Sequence, residues 1–221
     1  MTTFRTATAS LLDLAAGRRC LTCSVPGTNW CESCLARAVD RHRRVTRRGL
    51  VVLAGAHYRG DVQAAVIAHK ESGYLALVGP LSRLLARPEL SGSLLVPVPS
   101  TRATVRARGH DHSRRLAGAV AAVVDADVLP ALRWRRQVAD QSALSVSRRR
   151  ENVAGSMVAR TPRRGRQANS PVWIIDDVMT SGATVDEAAR ALVVSGWQVA
   201  GAAVVATVDS RRALADVAPL R

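Results

Sequence analysis

The most informative part of this chain is residues 172–184, which read V-W-I-I-D-D-V-M-T-S-G-A-T. The apolar run predicts a buried strand that ends in two adjacent carboxylates, Asp176 and Asp177. A loop rich in hydroxyl groups follows and leads into a predicted helix; its residues are Thr180, Ser181, Gly182, Ala183 and Thr184. N–H groups at a helix N-terminus bind phosphate, and carboxylates accept hydrogen bonds from vicinal hydroxyls. The segment therefore predicts a sugar-phosphate site; the alternative is a buried strand whose next helix is capped by Thr180 or Ser181.

The composition fits a globular protein with a strong positive charge. The 221 residues are 48% hydrophobic, which suffices for one globular domain with a small appendage. The formal net charge is +15, carried almost entirely by arginine because Lys70 is the single lysine. This charge favours anionic partners such as phosphorylated metabolites, pyrophosphate or nucleic acid, or else it gives a generally basic, solvated surface. Aromatic residues make up only 3%, which argues against a single-strand binder that works by base stacking.

The sequence shows no pattern of a membrane span or a secretory signal. No apolar stretch reaches the length that a bilayer-spanning helix needs. The Leu/Ala segment near the N-terminus is interrupted by Asp13, so it lacks the continuous apolar centre of a signal peptide. We therefore expect a short amphipathic N-terminal helix in a cytoplasmic protein.

All four cysteines lie close together in the sequence, as two C-x-x-C pairs separated by seven residues: Cys20, Cys23, Cys31 and Cys34. This spacing predicts a single tetrahedral zinc site, with a turn between the two pairs. Disulfides and a thioredoxin-like redox motif are the alternatives; a reducing cytoplasm disfavours the first, and the absence of a preceding strand disfavours the second. A site closed by four thiolates predicts a structural rather than a catalytic metal.

The hydrophobic pattern predicts strands that alternate with helices. Strands are predicted at 50–58, 93–98, 128–134, 153–159, 172–176 and 197–208, and helices at 61–71, 75–85, 113–124 and 183–195. In the second of these helices, Gly79-Pro80 marks a break or a new start. Residues 135–150 are polar and rich in arginine, which predicts a mobile loop. The alternation predicts an α/β fold with a mainly parallel sheet flanked by helices.

Two units are expected along the chain. Residues 1–48 form an N-terminal module with a helix and the cysteine knuckle, and residues 49–221 form the α/β domain. The module ends in the basic stretch 41–48, interpreted as a solvated helix end or linker first and as a nucleic-acid contact second.

Two further segments carry groups suited to an anion. V-P-V-P-S-T-R, residues 96–102, follows a predicted strand, and Ser100, Thr101 and Arg102 could supply donors to a pyrophosphate; a plain proline-rich strand end is the alternative. R-A-R-G-H-D-H, residues 106–112, places Arg106 and Arg108 near a predicted helix start, as leaving-group cations or as basic surface.

Residues 172–184 resemble the signature of type I phosphoribosyltransferases, which bind phosphoribosyl pyrophosphate (PRPP). Over nearly the whole chain, 20–208, the order of motifs resembles the ComF family of phosphoribosyltransferase-like proteins. The shared motifs are the paired C-x-x-C, Tyr58-x-Gly60, Lys70, P-V-P at 97–99, R-x-R-G at 106–109, Gln141-x-x-Leu144, Arg149-x-x-Asn152 and the Asp176/Asp177 loop. One departure from the family pattern follows R-x-R-G. The family commonly has an aromatic residue, then Asn or Asp, then Gln, whereas this sequence reads His110-Asp111-His112.

The resemblance implies a type I phosphoribosyltransferase-like fold that binds PRPP or another ribose 5-phosphate with Mg²⁺. It further implies phosphoribosyl transfer with release of pyrophosphate, in which Asp176 and Asp177 hold the ribose diol and residues 180–184 hold the 5-phosphate. Residues 100–102, Arg106 and Arg108 would bind and stabilise the pyrophosphate.

The resemblance also links the chain to DNA uptake in competence. Many members are labelled amidophosphoribosyltransferases, but the sequence argues against glutamine-dependent amide transfer. Met1 is followed by Thr2, and every cysteine belongs to the knuckle, so no N-terminal cysteine nucleophile is available. The competing interpretation is a non-catalytic module that keeps the PRPP-site fold and binds nucleotide, single-stranded DNA or DNA-processing proteins.

Overall fold

The computed structural model of the protein describes residues 17–46, 48–70, 74–101, 104–106, 109–135, 153–163, 165 and 169–208. The strands are β1 (His42–Val45), β2 (Val51–His57), β3 (Leu94–Pro97), β4 (Asp127–Val128), β5 (Leu132–Trp134), β6 (Met157–Ala159), β7 (Val172–Met179) and β8 (Val199–Thr207). The helices are α1 (Glu32–Ala38), α2 (Gly60–Lys70), α3 (Val78–Leu85), α4 (His112–Val124) and α5 (Ala183–Val194), with 3₁₀ turns at Leu75–Leu77 and Pro88–Leu90.

The described chain has an α/β fold built on one main sheet. Its six strands follow the order β1-β2-β8-β7-β3-β4, and β5 pairs with β6 in a separate two-stranded antiparallel sheet. Every pairing in the main sheet is parallel except that of β1 with β2, which is antiparallel. The prediction of a mainly parallel sheet flanked by helices is therefore confirmed.

Two apolar layers cover the two faces of this sheet. Because side chains alternate along a strand, Ile174 packs into one layer and Ile175 into the other. The layer that contains Ile175 also holds buried residues of α2, α3 and α4. The layer that contains Ile174 holds those of α5 and of the β5–β6 pair. Strands buried on both faces read as continuous apolar runs, which explains why β2, β3, β7 and β8 were predicted within a few residues of their observed bounds.

The cysteine knuckle packs onto the sheet. Cys20, Trp30, Cys34 and Leu35 are buried and belong to the same apolar layer as Ile175. The division of the chain at residue 48 stays a prediction, and β1, which precedes that point, is a strand of the main sheet.

Several local predictions were wrong. Within 41–48, interpreted as a helix end or linker, the structure has strand β1. The strand predicted at 128–134 is divided into β4 and β5, which belong to different sheets. Of the strand predicted at 153–159, only Met157–Ala159 is extended, because Gly155 turns the chain with a φ of 68°. At Gly79-Pro80 the alternative of a new start is the one observed: the 3₁₀ turn ends at Leu77, α3 begins at Val78, and Pro80 lies in the first turn, where a missing N–H costs nothing.

Two further predictions concern residues that the structure does not describe. They are the N-terminal helix, within 1–16, and the loop at 135–150, of which only the first residue is described. Among the residues that are described, no helix is both long enough and apolar enough to cross a membrane.

Candidate functional site

The topology of the sheet points to one crevice. In open α/β sheets, ligands bind beyond the carboxyl ends of the strands where neighbouring connections leave in opposite directions. The chain leaves β3 toward β4 on one side and leaves β7 toward β8 on the other side, and β3 and β7 are neighbours. The switch point therefore lies between the segment after β3, which carries Ser100 and Thr101, and the segment after β7, which is 180–184.

The acid pair lies at this point, within β7. Strand β3 pairs with β7 only as far as Pro97, which stands opposite Ile175, and the N–H of Val98 donates to the carbonyl of Ile175 at 2.9 Å. Strand β7 continues to Met179 and is paired there only with β8. The predicted strand end at Asp176 is thus wrong by three residues, yet Asp176 and Asp177 still lie just where β3 has diverged.

Asp177 is buried and already paired inside the protein. Its Oδ2 lies 2.9 Å from Nζ of Lys70, at the end of α2, and 3.3 Å from Nε2 of His112, at the start of α4. Its Oδ1 accepts a hydrogen bond of 2.7 Å from the N–H of Val178. These contacts fit the alternation of β7, because Asp177 shares the face of Ile175, on which α2 and α4 pack.

The two carboxyl groups differ in their proton affinity. Burial alone would raise the pKa of Asp177, but the hydrogen bond from His112 and the charge of Lys70 outweigh burial and hold that pKa well below its usual value. Burial and the neighbouring charge of Asp177 raise the pKa of Asp176 to about 7. Asp176 accepts one hydrogen bond at Oδ1, from the N–H of Asp177 at 2.9 Å. One ammonium thus neutralises only one of two buried carboxylates.

A series of polar contacts connects the segment after β3 with Asp177 on β7. Ser100 Oγ donates to Oδ1 of Asp111 at 3.1 Å and lies 3.2 Å from Nδ1 of His112. Asp111 also caps α4 by accepting a hydrogen bond from the N–H of Arg114. The Asp-His pair at 111–112 therefore holds Ser100 on one side and Asp177 on the other.

The loop after β7 presents a helix N-terminus. Gly182 is the N-cap of α5 and has a φ of 78°, a left-handed conformation that favours glycine. Neither Thr180 nor Ser181 is the N-cap residue, although Ser181 Oγ lies 3.5 Å from the N–H of Ala183. The first N–H groups of α5 have no partner within the helix, as at every helix start. The loop can thus offer N–H groups and hydroxyls to an anion.

The other residues predicted to bind pyrophosphate make no described contact with the acid pair. Thr101 Oγ1 accepts a hydrogen bond from the N–H of Thr104 at 3.1 Å and contacts Thr104 Oγ1 at 2.8 Å, so it stabilises the local turn. Arg106 is exposed. Arg102 and Arg108 lie outside the described residues.

The four cysteines come together as the spacing predicted. One sulfur from each lies within 4.8 Å of the others, so the cluster could hold a metal ion such as zinc. Zn–S bonds of about 2.3 Å in a tetrahedron place sulfurs about 3.8 Å apart, and Sγ of Cys23 and Cys31 lie 3.7 Å apart. The N–H of Cys31 donates to Sγ of Cys20. The hydrogen bond with Ser33 lowers the pKa of Cys31 to about 6, whereas burial raises the pKa of Cys34 to about 12, so the thiols differ in how readily they form the thiolates that a metal requires.

A separate cavity of about 210 Å³ lies beside α1 and the end of β2. Its charged lining consists of Arg37 and Arg59 against Asp40 and Asp61. Because these charges balance, the cavity favours no ligand charge. The acid pair, with its unequal carboxyl groups at the switch point, is the better candidate for chemistry.

Comparison with known protein families and with curated proteins finds no match for this chain. The assignment of this site therefore rests on its geometry alone. The sequence singled out Lys70 and the residues at 110–112 but assigned no role to Lys70 or His112. Their contacts with Asp177 join three segments that lie far apart in the chain, and single-sequence reasoning has no signal for such a contact.

Proposed function

We propose that this chain binds PRPP or another ribose 5-phosphate at the crevice between the β3 and β7 segments and transfers the phosphoribosyl group with release of pyrophosphate. The observation that carries the proposal is the buried acid pair at the switch point, followed at once by a loop and the N-terminus of α5. In this proposal the chain is a type I phosphoribosyltransferase-like protein of the ComF kind, and a role in DNA uptake follows only from that resemblance.

Each part of the site receives one role. The N–H groups and hydroxyls of 180–184 hold the 5-phosphate, helped by the dipole of α5. Asp176 accepts hydrogen bonds from the ribose hydroxyls, because its Oδ2 has no hydrogen-bond partner among the described residues. Asp177 keeps Lys70 in place by their contact of 2.9 Å, and this ammonium is assigned the charge of the departing pyrophosphate. Electrostatic stabilisation and positioning carry the reaction, because the transition state resembles an oxocarbenium ion.

Mg²⁺ belongs to the proposal as the partner of pyrophosphate. Oxygen ligands suit this ion, and Asp176 together with phosphate oxygens would hold it. When bound, it positions the pyrophosphate and neutralises its charge.

We propose zinc as the metal of the four cysteines, in a structural role. The sulfur spacing near that of a zinc tetrahedron supports this choice, as does the bond from the guanidinium of Arg37 to Sγ of Cys34 at 3.0 Å. Such hydrogen bonds to ligand atoms orient and tune a metal site.

A non-catalytic nucleic-acid-binding module is the second candidate. The net charge of +15 supports it, as does the exposure of Arg43 on the edge strand β1. With few aromatic residues, such binding should depend on salt and show little sequence preference. A titration with single-stranded DNA at two salt concentrations tests this: no binding at low salt, or binding that ignores salt, would contradict the candidate.

The enzymatic proposal is tested with PRPP, Mg²⁺ and a panel of bases and amines, by measuring pyrophosphate release. Calorimetry with ribose 5-phosphate and Mg²⁺ tests binding alone. Asp176→Asn should reduce both signals at least tenfold. Asp125→Asn is the matched control, because it removes the same charge at an exposed left-handed position that asparagine tolerates. If the wild type binds no ribose phosphate, or if Asp176→Asn binds it equally well, the site assignment is wrong.

A further inference from the structure

We propose that His112, Asp176 and Asp177 form a binding site for a first-row divalent transition-metal ion such as Mn²⁺. The three residues are buried, and one ligand atom from each lies within 4.8 Å of the others. Nε2 of His112 and Oδ2 of Asp177 lie 3.3 Å apart, a separation that fits two ligands of one ion with bonds slightly longer than 2 Å. The proposal deepens the ribose-phosphate function, on which it rests for its purpose, although the ion can bind without that ligand.

The hydrogen bonds behind His112 orient its ring so that Nε2 can serve as a metal ligand. Ser100 donates its hydroxyl proton to Asp111, so its oxygen is free to accept from Nδ1–H of His112 at 3.2 Å. When only Nδ1 carries a proton, the lone pair of Nε2 points toward Oδ2 of Asp177 and is available to a metal ion. Metal-binding histidines are typically oriented by such a bond from the second ring nitrogen to an acceptor. In this structure Nε2–H of His112 donates to Oδ2 of Asp177, and a metal ion would take the place of this proton while Nδ1–H stays bonded to Ser100.

The charge of the cluster also calls for a cation. Asp176 and Asp177 are both buried, and Lys70 supplies one ammonium. Once both carboxyl groups are ionised, the single counter-charge leaves one negative charge without compensation, which burial makes costly. A divalent ion would balance both carboxylates.

Lys70 can give way to such an ion. It is the last residue of α2, and its side chain is 35% exposed, whereas that of Asp177 is 7% exposed. The long lysine side chain can therefore turn its ammonium into water without exposing the carboxylate. It follows that the ammonium and the metal ion compete for Oδ2 of Asp177.

The described residues contain a second histidine–aspartate cluster, formed by Asp40, His42 and His57, which is less suited to a metal ion. The rings of His42 and His57 are stacked, with centroids 4.3 Å apart and planes at 14°, so their lone pairs lie in two nearly parallel planes rather than converging on one ion. Both nitrogens of His42 also have partners, the carbonyl of Asp40 at 2.8 Å and Oγ1 of Thr207 at 2.7 Å. This cluster therefore serves as an internal control.

The ligand set determines the kind of ion. Carboxylate oxygens suit Mg²⁺ and Mn²⁺ alike, whereas an imidazole nitrogen favours transition metals over Mg²⁺. His112 should therefore make the site prefer Mn²⁺ to Mg²⁺. Thiolates prefer softer ions, so protein whose cysteines are loaded with zinc leaves Mn²⁺ to the acid pair.

The experiment is a Mn²⁺ titration of zinc-loaded protein followed by electron paramagnetic resonance, with spin-echo detection of any coordinated imidazole nitrogen. The wild type should bind one Mn²⁺ at this site with nitrogen coupling. His112→Gln should remove that coupling and weaken binding about tenfold to a hundredfold, whereas His57→Gln should change neither. Lys70→Met should tighten Mn²⁺ binding, because the competing ammonium is gone. Circular dichroism confirms that each variant is folded.

Several results would overturn the inference: no nitrogen coupling in the wild type, equal Mn²⁺ affinity in His112→Gln and the wild type, or weaker binding in Lys70→Met. Calorimetry with ribose 5-phosphate and Mg²⁺ separates this inference from the proposed function. Mn²⁺ bound through His112 without ribose-phosphate binding would refute only the function. Ribose-phosphate binding with Mn²⁺ binding that does not depend on His112 would refute only the metal site.

Discussion

Asp177→Asn is the substitution that tests most directly how the site is assembled. It keeps the size of the side chain and removes its charge, so that the ammonium of Lys70 and the imidazole of His112 lose their shared carboxylate at 2.9 and 3.3 Å. Because Asp177 joins β7 to the last residue of α2 and the first residue of α4, we expect this change to lower the stability of the whole fold as well as any ligand affinity.

The expected loss can be worked out from the contacts. A hydrogen bond to a charged group contributes about 1.5–3 kcal/mol, and breaking a buried ion pair costs about 3–5 kcal/mol when the remaining charge stays buried. The side chain of Lys70 is 35% exposed, so water can screen its ammonium after the substitution. We therefore expect the free energy of unfolding to fall by about 2–3 kcal/mol. At about 2–4 °C per kcal/mol for a chain of this length, the unfolding midpoint should fall by about 4–12 °C.

Thermal unfolding followed by circular dichroism measures this loss, and Lys70→Met completes the comparison. Lys70→Met leaves the buried carboxylate without its ammonium, so it should cost about 3–5 kcal/mol, more than Asp177→Asn. The double variant should lose less than the sum of the two single losses, because the two groups interact. An unchanged midpoint for Asp177→Asn, or strictly additive losses, would show that the ion pair contributes no stability and would refute this reasoning.

Three further predictions concern the cysteines, the acid pair and the loop after β7. Cys31→Ser should release one zinc per chain and, because the knuckle packs against the sheet, lower the unfolding midpoint; metal analysis that finds no zinc in the reduced wild type would contradict this. Burial and Asp177 raise the pKa of Asp176 to about 7, so loss of its proton should contribute an increase in Mn²⁺ affinity from pH 6 to pH 8, of at most about tenfold per unit, and the increase should be smaller in Asp176→Asn. Gly182→Ala should destabilise the fold by about 1–2 kcal/mol in chemical denaturation, because its φ is 78° and a Cβ would lie 3.2 Å from the methyl carbon of Thr46. Gly118→Ala, in the open middle of α4, should instead be neutral or stabilising, and equal effects of the two would contradict the assignment of strain.

The parts of the fold that sequence predicted well are those in which local pattern and burial agree. β2, β3, β7 and β8 are covered on both faces, so their sequences are nearly unbroken apolar runs. β1 was missed because it is a four-residue edge strand with the sequence H-R-R-V, in which charged residues protect the exposed edge. β4 and β5 were merged because one apolar run crosses Pro130, although the chain changes sheet there.

In the candidate site, too, sequence predicted only the residues that are neighbours in the chain. The acid pair and the loop at 180–184 are contiguous in sequence, so their order and chemistry could be read directly. The partners of Asp177 are Lys70, which is far away in the chain, and His112, which sits at a helix start where sequence indicated only a departure from the expected residues. Hydrogen-bond partners across such distances depend on how helices cross a sheet, and no local pattern encodes that crossing.

The ion pair of Lys70 also provides a chemical reporter. Because Lys70 is the only lysine in the chain, an amine-reactive reagent can modify just one side chain, and that side chain lies at the acid pair. The carboxylate of Asp177, at 2.9 Å, keeps this amine engaged in an ion pair. A ligand or ion that takes Asp177 away from it should therefore accelerate labelling. The adduct on the peptide that contains Lys70, followed over time, would report occupancy of this site without any engineered probe.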